Sequence, residues 1–473
     1  MIWRVGGQNI PPVRTNYLRS PQSLTRKSLN DSDPKDDASV MHNAFQAGDY
    51  ERSLKISEKF TLKASHFFEY HRIRILSLSR MHRHDEAMDA ARAVIDRFPG
   101  GEPAAFALAV STAIASRDFK ACLDSLLRLV LAGGTLNCGL LNSVLKNATI
   151  QSDRNNLTPE EVQANLECQI RILRSICDAT GRRPMLLIGN CQVPVLAEIL
   201  NNTPAYSENW FAYCYKGVHA CSSAELLTLG SLVDSFDYLV TQNIFSDAFG
   251  SLRTEVIRSS YTGMLITIPT CWFNITSLDA FRLSQMRNAD PDSNMHSVFL
   301  ARAFLDGIST DQAVTRYDEA ALFTDKVLSG SMQLTAANLR QRDRGLDFSI
   351  TDYVLGEFVK KRLFYSYNHP GLAVLLEVCA GIAKRIDLFF QKDLKRYAAF
   401  DRLINPLWCT HPRIRRYFGL CYTEDSVFKF NDQRMDISVF AEREYELFAR
   451  QDNRSLCKDV ERKEEELKYG YSA

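Results

Sequence analysis

This sequence of 473 residues is short of several things, and each shortage removes a class of protein. No apolar run approaches the ~20 residues that a membrane-spanning helix needs, so no membrane span is expected. Charge of one sign is not in excess. Lysine plus arginine number 57 against 56 acidic residues, a net charge of +1, which gives no reason to expect nucleic acid as a partner. The 12 cysteines form no CxxC pair and keep no regular spacing. That argues against a disulfide scaffold and against a zinc site, and no metal is expected. They read as reduced thiols, with Cys122, Cys168, Cys177 and Cys379 in helical apolar patterns as small core residues. The opening residues, Met1 to Gly7, lack the basic-then-apolar layout of a secretory leader, and a cytoplasmic location is expected. What remains is ordinary for a globular chain of two or three domains, 45% hydrophobic and 24% charged.

Residues 1–37 are rich in Pro, Ser, Asn, Arg and Asp, which predicts a flexible N-terminal arm. Residues 38–135 are helical in pattern and repeat themselves. Gly48 to Leu54 is echoed 34 residues later by His82 to Met88, and again by Arg117 to Leu123. Ser53, Ala87 and Cys122 take the small position where paired helices approach closely, and Pro99 sits where a second helix would stop. The period is that of tetratricopeptide repeats, so the segment is read as a TPR-like all-α domain. Its concave face suits a protein partner or a docking shoulder for the rest of the chain. Residues 136–183 read as a connecting helical segment. In it Thr158, Pro159 and Glu161 form the N-cap, first position and capping box of a helix that stops near Gly181.

From Pro184 the pattern changes. Short apolar runs at Met185–Ile188, Trp210–Tyr215, Tyr238–Thr241 and Met264–Ile268 alternate with helical stretches at Val193–Leu200, Ala224–Ser235 and Ser251–Ser259. This predicts an α/β domain over 184–455 with a parallel-rich sheet. Helices follow at Ala313–Leu328, Leu334–Arg340, Thr351–Lys361, Gly371–Phe390 and Val439–Arg450, and residues 456–473 read as a charged, frayed tail.

In an open parallel sheet, ligands gather beyond the carboxyl ends of the strands. The first run ends in Gly189-Asn190-Cys191-Gln192, the third in Gln242-Asn243, the fourth in Thr270-Cys271-Trp272. An aromatic segment, Leu363 to Tyr367, ends in Asn368-His369-Pro370. A strand, a Gly turn and a helix with Pro194 in its first turn present Cys191 where the helix dipole favours thiolate. Cysteine and histidine from distant segments are the usual thiol nucleophile and its base.

The segment Leu187–Leu200 (LIGNCQVPVLAEIL) resembles the opening motif of the WcbI-type polysaccharide-biosynthesis family. Asp237 to Asn243 agrees in order and spacing, as do Arg342-Asp343, Asp347 and the run from Leu363 to Pro370. Weaker likeness lies at Leu265–Pro269 with Trp272-Phe273, and from Ile404 to Leu420. The resemblance, over roughly residues 184–450, implies a coenzyme A–binding fold distantly similar to SGNH hydrolases and acetyl transfer to a surface or capsular polysaccharide. It implies that Gly189, Asn190, Cys191 and Gln192 form the active turn. Gln242 and Asn243 line it, and His369 is the acid/base residue. The Asp that precedes the His in an SGNH triad is not evident, and Asp347 and Asp352 are the candidates to orient His369.

The expected activity is therefore O-acetyl transfer from acetyl-CoA to a sugar hydroxyl, with Cys191, His369, Asn190 and Asn243 catalytic. Gly189, Gln192, Gln242, Arg342 and Asn368 are expected to hold coenzyme A. The cations for its phosphates are sought among Arg182, Arg183, Lys216, Arg282, Arg340, Arg342 and Arg344. Two alternatives stand beside this: a cysteine-dependent esterase or thioesterase on the same scaffold, and a non-catalytic TPR-type interaction protein.

Overall fold

The computed structural model describes residues 4–5, 8–9, 34–61, 68–97, 158–286, 294–319, 322–422, 427–430 and 433–469. The chain divides into two compact units, Met1–Pro184 and Met185–Ala473. The third repeat copy, with Cys122, and most of the expected arm lie outside the described residues.

In the first unit, helices α1 (Pro34–Gln46), α2 (Tyr50–Thr61), α3 (Phe68–Arg80) and α4 (His84–Arg97) pack each on the next. The two tight turns are copies of each other at an offset of 34 residues. Asp49 N–H donates to Ala44 O at 2.9 Å and Arg83 N–H to Leu78 O at 2.9 Å. Gly48 N–H reaches Phe45 O at 3.1 Å, and His82 N–H reaches Ser79 O at 3.2 Å. Gly48 and His82 are both left-handed, with φ of 80° and 59°. Glycine takes that conformation without a Cβ clash, whereas His82 bears it. Ser53 and Ala87, the expected small positions, are fully buried. Further along, α5 (Pro159–Thr180) has both arms of the capping box between Thr158 and Glu161, and Gly181 ends it in the left-handed region at φ 67°.

The second unit is built on a four-stranded sheet of order β2-β1-β3-β4, with β1 Arg183–Ile188, β2 Trp210–Tyr213, β3 Tyr238–Gln242 and β4 Met264–Ile268. Strands β1, β3 and β4 run parallel, with Ile188 opposite Thr241 and Gln242 opposite Ile268. Met185 to Ile188 are all buried, as a strand covered on both faces requires. Between the strands lie α6 (Gln192–Asn201), α7 (Ser223–Leu232) and α8 (Thr254–Ser260). The chain leaves β1 for one edge and returns to build the other from β3. The order therefore reverses between β1 and β3, the place where such sheets open a crevice.

Helices dominate beyond, with two departures from the sequence reading. The helix expected over Ala313–Leu328 is interrupted. One helix ends at Arg316, and a new one, α11 (Asp325–Asp343), starts where the Thr324 hydroxyl caps Val327 N–H at 3.3 Å. With α9 (Val298–Leu305) and α10 (Thr310–Arg316) before it, α11 runs unbroken through Leu334–Arg340. The second departure is the C-terminus. In place of a frayed tail, a helix spans Asn453–Tyr469, with Leu456, Val460 and Leu467 buried in the same core as the sheet. Their spacing makes an apolar stripe inside a charged sequence. Arg302 clamps this helix through Glu464 at 2.9 and 2.8 Å. Among the described residues no helix is long and apolar enough to cross a membrane.

Candidate active site

The turn after β1 is held by a close approach. A Cβ on Gly189 would lie 2.4 Å from Gln242 Oε1 and 2.5 Å from Val193 Cγ2, so only glycine fits. Asn190 N–H donates to Gln242 Oε1 at 2.8 Å, and Asn190 Oδ1 accepts Gln192 N–H at 2.9 Å, an Asx turn that starts α6. Cys191 occupies the N-cap position with αR backbone, is half-buried, and makes no side-chain cap bond. Its sulfur therefore lies at the positive end of a ten-residue helix.

Gln192 is the hub. Its Nε2 donates to Cys271 O at 2.7 Å and Asn368 O at 2.9 Å. Its Oε1 accepts Cys271 N–H at 3.0 Å and Gln242 Nε2 at 2.9 Å. Both amide hydrogens and both lone pairs are used, and the side chain is fully buried. Coenzyme A is the expected ligand of Gln192 and Gln242, whose side chains here bond to protein groups. Both are buried and committed to protein groups, so they position the turn. The same bonds bring the GNCQ turn, the Cys271 segment and the Asn368-His369 segment together at the reversal of strand order. Asn243 follows Gln242 at the end of β3 and is half-buried. Asn368 contributes its carbonyl to Gln192, while its Oδ1 accepts the Ser366 hydroxyl at 3.3 Å.

His369 lies in a two-residue strand paired antiparallel with Phe364–Ser366. It is buried, and burial lowers its pKa to about 4; hydrogen bonds to the Leu403 and Asn405 backbone oppose the drop, while the charges of Arg282 and His219 add to it. The imidazole is therefore neutral at pH 7. Neither carboxylate proposed to orient it does so. Asp347 accepts Thr267 N–H at 2.6 Å and pairs with Arg385 at 2.7 Å, which ties β4 to a helix end. Asp352 is exposed in the first turn of Thr351–Glu357. Orientation comes instead from backbone carbonyls.

Sequence reasoning missed His219. A Cβ on Gly217 would lie 2.8 Å from His219 Cε1 and 3.1 Å from Cys191 N, so that imidazole stands beside the GNCQ turn. Val218 N–H fixes the loop to Gly189 O at 2.8 Å. The one available signal was Gly217, whose lack of a side chain admits the Asn190–Cys191 backbone.

The cation candidates separate. Lys216 is bound to Glu225 at 2.8 Å, and that carboxylate also accepts Tyr215 Oη at 2.6 Å. Arg342 lies over the Trp272 ring at 4.8 Å, and desolvation lowers its pKa although the residue as a whole is exposed. Arg282 lies over Tyr367 at 5.5 Å and acts on His369. Arg340 borders a separate hollow with Tyr417 and Phe418. Arg344 caps α11 and is exposed, Arg182 lies in the first unit, and Arg183 is exposed at the start of β1, the end away from the GNCQ turn.

This glycine-bounded turn, Gln192 hub and buried histidine fall within one recognised family segment. Residues 185–390 match the family described as the polysaccharide biosynthesis enzyme WcbI. They form a WcbI domain. A solved WcbI structure is similar over 62% of this chain and 100% of its own, with 17% identity and a TM-score of 0.53. That structure is described as the native protein without the disulfide bond between CoA and one of its cysteines. The WcbI likeness at this identity speaks for the fold, a parallel-rich α/β sheet with many helices. An O-GlcNAc transferase variant from Thermobaculum terrenum aligns over 92% of this chain and 97% of its own, at 11% identity and a TM-score of 0.22, which carries no argument. No curated protein matches the chain.

Proposed function

We propose that the WcbI domain transfers an acetyl group from acetyl-CoA to a sugar hydroxyl of a surface polysaccharide or its precursor. The observation that carries this reading is the Gln192 hub, which gathers Cys191, Asn190 and the Asn368-His369 segment at one crevice. The WcbI neighbour, described as the protein without a disulfide bond between CoA and one of its cysteines, pairs CoA with a cysteine in that wording, which supports a thiol end of CoA approaching Cys191 here.

In the double-displacement route, Cys191 Sγ attacks the acetyl carbonyl and loses its proton to His369 or His219. The bond from the carbonyl carbon to the CoA sulfur breaks, and CoA leaves with that proton as a thiol. The sugar hydroxyl then attacks the acetyl-cysteine, its proton returns by way of the same imidazole, and Cys191 is regenerated. Both tetrahedral intermediates carry an oxyanion. The N–H and Oδ1 of Asn190 are already committed, which leaves its Nδ2, with Asn243 Nδ2, as the donors for that oxygen. A donor so placed contributes on the order of 3 kcal/mol. His369 is unprotonated at pH 7 and so able to accept a proton, although a pKa of about 4 makes it a weaker base than an unburied imidazole. The helix hairpins of the first unit, read as tetratricopeptide units, would recruit a protein of glycan assembly.

Intact mass after incubation with acetyl-CoA tests the route. A single acetyl adduct that disappears in Cys191→Ala supports it. Turnover without any adduct means that Cys191 only shapes the pocket and acetyl-CoA is attacked directly. Release of free acetate at full rate without a sugar acceptor means that the protein is a hydrolase.

A further inference from the structure

A cavity of 260 Å³ opens beside this crevice and takes no part in the steps above. Its walls carry Trp272, Phe281 and Tyr367 with Arg282, Arg462 and Lys463. Three links join it to the candidate active site. Trp272 follows Cys271, whose backbone holds Gln192. Tyr367 lies two residues before His369, and Arg282 stacks on Tyr367 while acting electrostatically on the His369 ring.

Its chemistry is mixed in a specific way. Three cations face one lining carboxylate, Glu466. Lys463 is only 4% exposed, lies 4.0 Å from Glu466, and also acts on the buried Asp279 carboxylate. Arg462 is engaged by Asp459 at 3.2 Å but keeps half its side chain in solvent. A buried ammonium on a cavity wall favours an anion in that cavity, because desolvation strengthens the attraction. The indole, phenyl and phenol rings offer faces for the C–H side of a pyranose, and Glu466 offers acceptors for its hydroxyls. The volume suits one sugar ring with a phosphate and is too small for a whole coenzyme A.

We infer that this cavity is the acceptor subsite, and that it takes a phosphorylated sugar. The inference deepens the acetyl-transfer reading and rests on it for the word acceptor. Arg462, Lys463 and Glu466 come from the helix Asn453–Tyr469, beyond the segment that matches the WcbI family, while Trp272, Arg282 and Tyr367 lie within it. Sugar choice is therefore set jointly by the family fold and by a wall that the family match does not include.

The test is calorimetry on the full chain with glucose 1-phosphate, glucose, inorganic phosphate and CoA as separate probes. The expected result is saturable binding of glucose 1-phosphate, at least tenfold tighter than of glucose or phosphate alone. Binding should weaken about tenfold in Arg462→Gln and further in Lys463→Met, with CoA affinity unchanged in both. Arg462→Gln alters a half-exposed group and keeps the test readable if Lys463→Met fails to fold. The inference is overturned if glucose binds as tightly as its phosphate, if glucose 1-phosphate does not bind, or if the two variants weaken CoA as much as the sugar phosphate. CoA that fails to bind the unaltered protein sinks the acetyl-transfer reading instead, and leaves binding of the sugar phosphate to be judged by itself.

Discussion

The two units of this chain are held in different ways. In the helix hairpins the bonds that set each turn join residues at most five apart, and the same set recurs 34 residues later. At the candidate active site the bonds that set the turn reach from Gln192 to Cys271, 79 positions on, and to Asn368, 176 positions on. A turn of the first kind forms wherever its seven or eight residues occur. A turn of the second kind exists only after the sheet, the loop after β4 and the segment before the helix Leu372–Arg385 have all assembled. The difference predicts concentrated damage at the site and graded damage in the hairpins.

The largest effect is expected from Gln192→Ala. It leaves Cys271 N–H, two carbonyls and the Gln242 amide without their partner in a buried place. The expected loss is about 3 kcal/mol or more of stability, read by urea unfolding, together with loss of CoA binding. Stability within 1 kcal/mol of the unaltered protein would erase the contrast between the units.

Gly189→Ala comes next. Its methyl group would overlap Gln242 Oε1 and Val193 Cγ2. The expected loss is about 1–3 kcal/mol by the same measurement. Gly48→Ala in the hairpin, where no atom lies within 4 Å of the added carbon, should lose only the cost of the left-handed backbone, about 1 kcal/mol.

Acid should weaken the second unit. His369 and His411 both have pKa values lowered by burial to about 4, from an ordinary 6.5. A lowered histidine binds fewer protons folded than unfolded between those values. Stability is therefore complete above pH 6.5 and falls as pH drops toward 4. Asp279 works the other way. Burial raises it to about 6, so its contribution grows as pH falls below that value. Two imidazoles outweigh one carboxyl, and the net expectation is a lower melting temperature at pH 4.5 than at pH 7. His411→Gln should flatten that slope. A melting temperature independent of pH over this range would contradict both assignments.

The smallest effect is expected at His82, which holds a left-handed conformation where its partner turn has Gly48. His82→Gly should raise stability by about 0.5–1 kcal/mol, read by thermal melting of the full chain. A fall in melting temperature would mean that the imidazole contributes more than the strain it bears.

What could be read in the sequence follows the same division. Apolar runs located the strands to within two residues, and the Thr158 capping box located a helix start, because both depend on near neighbours. The GNCQ and NHP motifs lie in segments that the Gln192 side chain bonds together. The protein contacts of their amides were not legible, since nothing local in Gln192 says that its four partners are supplied by distant segments. Arg282 was one cation among seven until the fold set it over Tyr367. His219 was invisible, because its place beside Cys191 depends on Gly217 meeting a backbone from another strand end. The C-terminal helix was misread for a related reason. Charge density is a local property, whereas the stripe of Leu456, Val460 and Leu467 gains its meaning from the core it covers.

That helix also says where this protein can be cut. The family match ends at residue 390, yet the hydrophobic core that contains β1 and β4 continues to Leu467. A fragment trimmed to the matched segment would keep the GNCQ, Gln242-Asn243 and NHP motifs and lose the layer that closes them in. It would expose the faces of Val298, Leu300 and Ala301, all buried in that core, and present the aggregation hazard of an unfinished fold. Expression boundaries for the WcbI domain are better drawn past Tyr469 than at the edge of its recognisable sequence.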